Sequence, residues 1–142
     1  MAIIQTACTS YKAELAQALH NFTASTGNVF KIALYLSSAT LGADTTVYTT
    51  SGETSGTNYT AGGIALTNIT PTTSGTTAYW SFQTATFSNV TLSCAGALIY
   101  NSTNGNRAVC VLNFGSTITK VAQDLVITFP AASATDAILR IE

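Results

Sequence analysis

The chain has 142 residues, of which 46% are hydrophobic and only 8% are Asp, Glu, Lys or Arg, with 26 Thr and 13 Ser instead. This hydrophobic content excludes intrinsic disorder, and the length predicts one domain. The formal net charge is −1 and the five cations are scattered, so the chain has no basic stripe for nucleic-acid binding and little charge to oppose self-association.

Residues 1–9 predict an N-terminal arm. They contain no cationic segment followed by an apolar run, so no secretion signal is expected, and no later stretch approaches the roughly 18 apolar residues of a membrane span. Ile3 and Ile4 are apolar residues in this arm, and exposed apolar groups are a liability unless they dock on another molecule. We therefore expect Ile3 and Ile4 to contact a partner.

Residues 10–22 predict a short amphipathic helix. Ser10 is a suitable N-cap, and the segment 23–28 ends the helix with turn residues. Apolar side chains recur at the spacing of one helical face, at Tyr11, Leu15, Ala18, Leu19 and Phe22.

The chain after this helix predicts about eight short strands separated by turn signals. Apolar alternation marks residues 29–36, 77–84 and 107–114 most clearly, and Asn104-Gly105 predicts a hairpin between residues 89–101 and 107–114. Gly115 and Ser116 predict a further turn. The fold class is therefore mainly β, an antiparallel β-sandwich or jelly-roll-like domain over residues 10–142, with one short N-terminal helix.

Residues 37–63 form a polar stretch in which 47–50 predict a short strand and 51–63 predict a long loop rich in Gly, Ser and Thr. Loops of this length are usually functional or disordered, and binding residues are concentrated on loops. Tyrosine is enriched at protein interfaces because it combines contact area with a hydrogen-bonding group. We therefore predict Tyr48 and Tyr59 of this polar stretch, with Tyr11 of the helix, as partner-binding residues beside Ile3 and Ile4.

Residues capable of catalysis are scarce. The single histidine, His20, is expected to be structural or solvated, and the loop residues Asp44 and Glu53 could reach each other but are expected to be solvated charges. No cysteine, histidine or carboxylate group has metal-ligand spacing, and no phosphate-binding loop occurs. The sequence therefore predicts a protein that is not an enzyme and uses no metal or cofactor.

Two cysteines and two aromatic residues that could serve a chemical or binding role are expected to lie in the core instead. Cys94 and Cys110 lie in apolar stretches, where cysteine behaves as a small hydrophobe. Trp80 and Phe82 share one face of a strand and are expected in the core. The alternative is an exposed platform that stacks a sugar ring, formed by Trp80, Tyr79, Phe82 and Tyr59.

Five blocks spread over nearly the whole chain form a distinctive pattern. They are Tyr11–Phe22, Phe30–Tyr35, Tyr59–Gly63, Gly96–Asn101 before Arg107, and Ala137–Ile141. This pattern resembles a family of small tailed-bacteriophage proteins that are encoded among virion structural genes.

The resemblance implies a virion component made in the host bacterial cytoplasm, and we expect a head decoration (cement) protein. Such a protein binds the major capsid protein in the assembled lattice, commonly as a homotrimer, and contacts neither nucleic acid nor membrane. A second hypothesis is a tail or baseplate module that recognises a host surface glycan, and a third is a tail or connector structural protein. The copy number per virion would distinguish these classes.

Overall fold

A computed structural model describes residues 2–142. The fold is mainly β and sandwich-like, as predicted, because its paired strands are antiparallel and form two sheets beside one short helix. No helix in residues 2–142 is long and apolar enough to cross a membrane. The elements in chain order are β1 Thr6–Ala7, α1 Thr9–Ala16, β2 Phe30–Tyr35, β3 Ile64–Ala65, β4 Asn68–Ser74, β5 Thr77–Phe82, β6 Ala85–Asn101, β7 Arg107–Ile127 and β8 Leu139–Ile141.

The two sheets enclose an aromatic core. The larger sheet has the order β1-β7-β6-β2-β3 and the smaller has the order β4-β5-β8. Phe22 and Phe30 stack with ring centroids 4.3 Å apart, and Trp80 and Phe82 of β5 lie 5.5 Å from Phe22 and 5.8 Å from Phe30, respectively. Trp80 is only 5% exposed, which confirms that it belongs to the core.

Strands β6 and β7 form the long central hairpin of the larger sheet. Residues 102–106 make its turn, at the place that the Asn-Gly signal predicts, but the positive φ angles fall on Gly105 and Asn106 and not on Asn104. The turn predicted at Gly115-Ser116 is wrong, because β7 continues through it. Residues 114–117 instead lie opposite the single residue Ala95 as a bulge, a device that accommodates extra residues within a strand.

Helix α1 ends at Ala16, so the prediction of a helix reaching residue 22 is wrong. Ala18 adopts a left-handed φ of 59°. The amide of Leu19 donates to the carbonyl of Glu14, and the amide of Ala18 donates to the carbonyl of Leu15, which is the Schellman pattern of helix termination. The chain then turns inward and buries His20 and Phe22.

The N-terminal segment belongs to the domain and is not a free arm. Thr6 of β1 lies opposite Val111 of β7, and Ile3 forms a parallel bridge with Leu41. The Asn113 side-chain amide donates to the carbonyl of Ile3 at 2.8 Å. The boundary predicted at residue 9 therefore separates no structural unit.

Candidate partner-binding surface

The long polar loop is fixed by one carboxylate. Glu53 accepts hydrogen bonds from the Tyr48 hydroxyl at 2.6 Å, from the Tyr59 hydroxyl at 2.7 Å and from the Gly62 amide at 2.7 Å. The Tyr59 hydroxyl also accepts a bond from the backbone amide of Leu34 in β2 at 2.9 Å. The loop is thus tied both to itself and to the sheet, and Glu53 bonds to these donors instead of meeting Asp44.

The tyrosines around Glu53 are committed to internal contacts. The Tyr48 and Tyr100 rings stack with centroids 4.8 Å apart, and the Tyr100 hydroxyl donates to the carbonyl of Gly62 at 2.6 Å. Burial, with the charge of Glu53 as a smaller cause, raises the pKa of Tyr59 and Tyr48 and raises the pKa of Tyr100 to about 12. These hydroxyls are therefore protonated donors at neutral pH.

His20 is the centre of a second, fully buried polar cluster. Its Nε2 lies 3.0 Å from a Glu14 carboxylate oxygen and its Nδ1 lies 3.1 Å from the Asn101 side-chain nitrogen. The Glu14 carboxylate accepts hydrogen bonds, so Nε2 carries the ring proton and donates to it. The Asn101 side-chain oxygen accepts two backbone amides, so its side-chain nitrogen faces Nδ1 and also reaches the Leu19 carbonyl and the Asn28 side-chain oxygen. Burial lowers the pKa of His20 despite the nearby Glu14. The ring joins the segment after α1 to β6 and has no accessible surface for a substrate.

Acidification is expected to weaken the fold through His20. Below pH about 6.5 the unfolded chain binds a proton that the buried ring resists, so the free energy of unfolding falls by up to about 1.4 kcal/mol per pH unit. Urea unfolding at neutral and mildly acidic pH measures this dependence. In His20→Gln the amide keeps one donor and one acceptor, and the pH dependence should shrink. An unchanged pH dependence in this variant would contradict the assignment.

The three cysteines are buried and free, which confirms the prediction for Cys94 and Cys110. Burial raises the pKa of Cys8 and Cys94 to about 11 and that of Cys110 to about 12. Little reactive thiolate therefore exists at neutral pH. Within residues 2–142, no three His, Cys, Asp or Glu side chains gather as metal ligands would.

An apolar groove follows the outer edge of β7. Residues 46–48 bridge to this edge around Arg107, and β1 pairs with it at residues 110–111. From residue 112 to the end of β7 no strand of the described chain pairs with it. The groove has a volume of about 510 Å³, and we call it the β7 groove. Its lining includes Gln5, Phe114, Ile118, Val126, Phe129 and Ile138.

The predicted partner-binding residues separate into three groups in the structure. Ile3 is buried in the protein's own core, which corrects its prediction as an exposed contact. Tyr11 is only 3% exposed and lines a small cavity beside α1. Tyr48 and Tyr59 are half-buried around Glu53. Only Ile4 is exposed, at 61%, and it precedes Gln5, which lines the β7 groove.

The β7 groove was missed in the sequence because a turn was placed at Gly115-Ser116. The sequence signal for the groove was the continuous apolar run 125–127. Successive side chains of a strand point to opposite faces, so a strand with one solvated face would alternate apolar and polar residues, whereas this run places apolar residues on both faces of β7. Val126 is the outward one and is 52% exposed. No protein family, characterised protein or solved structure matches the chain.

Proposed function

We propose that the protein is a non-enzymatic structural component of a bacteriophage virion, a head decoration protein that binds the capsid lattice through the β7 groove. The observation that carries the proposal is the groove itself, an apolar surface along an unpaired strand edge. Such an edge is a template for association, and an exposed apolar patch commonly marks an interaction site. The whole-chain resemblance to tailed-phage virion proteins supports the choice of partner.

The distribution of polar groups also supports a role in assembly. Glu53 and the pair of Glu14 and His20 are occupied by internal hydrogen bonds. The surface carries few charges to oppose contact with an equally neutral partner. In a symmetric lattice one modest interface is repeated in every copy, so weak individual contacts accumulate.

The major capsid protein is the proposed partner, and a homotrimer is the proposed assembled form. Both are proposed because decoration proteins bind the capsid lattice, commonly as trimers. The alternative of a glycan-binding module on a tail or baseplate has less support, because the Trp80 indole that would stack a sugar lies in the core.

Val126→Asp is expected to abolish particle binding while the protein stays folded. It places a charge in the β7 groove, and burying an unpaired charge at an interface weakens binding by at least about tenfold. The measurement is co-sedimentation with phage heads that lack the protein, with circular dichroism to show that the variant folds.

Val47→Asp is the matched control. Val47 is 46% exposed, close to the 52% of Val126, but bridges to Arg107 at the far end of β7. It should bind heads as the unaltered protein does, whereas Ile4→Asp should weaken binding. Full occupancy by Val126→Asp would exclude the β7 groove as the contact. Deleting residues 2–8 is a poorer test because it removes β1 and Ile3.

A further inference from the structure

A small pocket lies between α1 and the smaller sheet, away from the β7 groove. It has a volume of about 310 Å³, and we call it the indole pocket. A second hollow of about 440 Å³ shares Leu15, Trp80 and Ile141 with it and extends towards Phe22 and Pro71. The residues of the indole pocket used below are Tyr11, Lys12, Leu15, Trp80, Arg140 and Ile141.

Two buried donors line the indole pocket without acceptors. Trp80 is 5% exposed and Tyr11 is 3% exposed, yet neither the indole nitrogen nor the phenol oxygen has a hydrogen-bond partner within residues 2–142. Burial raises the pKa of the Tyr11 hydroxyl, and the nearby Trp80 indole opposes this effect. Indole nitrogen can only donate, and the phenol supplies a second donor, so the pair can satisfy both donors only with an external acceptor.

The charges around the indole pocket have one sign. Lys12 and Arg140 line it, which places two of the chain's five cations at one small site, and no carboxylate lines it. Arg140 does donate from one terminal nitrogen to the Ala134 carbonyl at 2.7 Å and to Glu142 at 3.1 Å. The Glu142 side chain is 70% exposed, so water screens its charge more than it would in a buried pair.

We propose that the indole pocket binds a carboxylate carried on an apolar stem. The carboxylate oxygens would accept from the Trp80 indole and the Tyr11 hydroxyl in the field of Lys12 and Arg140. The stem would enter the hollow beyond Leu15 and Ile141. This chemistry could come from a free organic acid or from an acidic side chain of a neighbouring protein. The proposal is independent of capsid binding.

Trp80 is the only tryptophan, so its indole N–H gives a single reporter signal in a nitrogen-proton NMR spectrum. Titration with hexanoate is expected to shift this signal saturably, whereas hexanamide, its neutral counterpart of equal length, should not. A rise in affinity of about fourfold per added methylene from propionate to hexanoate identifies a free acid with a hydrocarbon stem. An affinity already complete at propionate identifies a glutamate side chain, and supports carboxylate binding equally.

Variants test the assigned contacts. Tyr11→Phe removes one donor to a charged acceptor and should weaken hexanoate binding by about tenfold or more. Lys12→Gln should also weaken it, whereas Lys120→Gln on β7 is the matched control and should have no effect. The absence of a saturable shift with hexanoate, or an equal shift with hexanamide, would overturn the proposal. This comparison of acid and amide needs no variant, so it decides the question even if Tyr11→Phe fails to fold.

Discussion

Above about pH 10 the protein is expected to lose stability steeply and to unfold within about two pH units. The cause is a set of hydroxyls whose pKa is raised, chiefly by burial. In the unfolded chain these groups ionise near pH 10, whereas the folded state keeps them protonated, so the unfolded state binds fewer protons and the free energy of unfolding falls as pH rises. The tyrosines concerned are Tyr11, Tyr35, Tyr48, Tyr59 and Tyr100.

The size of this effect distinguishes it from ordinary alkaline destabilisation. Each group contributes up to about 1.4 kcal/mol per pH unit, and small domains are stable by only about 5–15 kcal/mol. Circular dichroism and tyrosinate absorbance followed together over the pH range should change in one transition. Tyr59→Phe removes one titrating group and should make the loss of stability shallower. Tyrosinate absorbance of these groups near pH 10 in a protein that stays folded would contradict the prediction.

Gly63→Ala is expected to destabilise the protein by more than about 3 kcal/mol. Gly63 has a φ of +79°, and a Cβ at this position would overlap the carbonyl oxygen of Ile32 in β2. The obstacle is backbone of a strand paired on both sides, so it cannot move aside as a flexible side chain would. Urea unfolding of the variant measures the loss.

Gly75→Ala separates the effect of conformation from the effect of the clash. Gly75 also has a positive φ, of +60°, but no atom lies within 4 Å of the position where its Cβ would be. Its substitution should cost only the left-handed conformation, about 1–2 kcal/mol. Similar losses in the two variants would mean that the close approach of Gly63 to β2 contributes nothing.

The features predicted correctly depend on residues near each other in sequence. The Asn104-Gly105 turn dictates the hairpin of β6 and β7, and apolar alternation dictates the burial of Trp80 and Phe82. The helix end was missed because Leu19 and Phe22 continue the helical spacing. The chain leaves the helix after Ala16 because this buries His20 and Phe22 in the core.

The polar centre of the loop was missed because its bonds depend on tertiary structure. Tyr48, Glu53 and Tyr59 are neighbours in sequence, but their spacing matches no motif. The cluster also requires Leu34 from β2 and Tyr100 from β6. The same limit applies to the buried Ile3, whose contacts with Leu41 and Asn113 come from distant parts of the chain.

The docking of the N-terminal segment has a consequence for the order of folding. The bond from the Asn113 side chain to the Ile3 carbonyl joins residues separated by 110 positions, and β1 pairs with residues 110–111. Residues 3–7 are synthesised long before these partners and cannot pair with them until β7 has emerged. Contacts of such high sequence separation slow folding, because a large loop must close before any of them forms. We therefore expect the pairing of β1 with β7 to be among the later steps of folding.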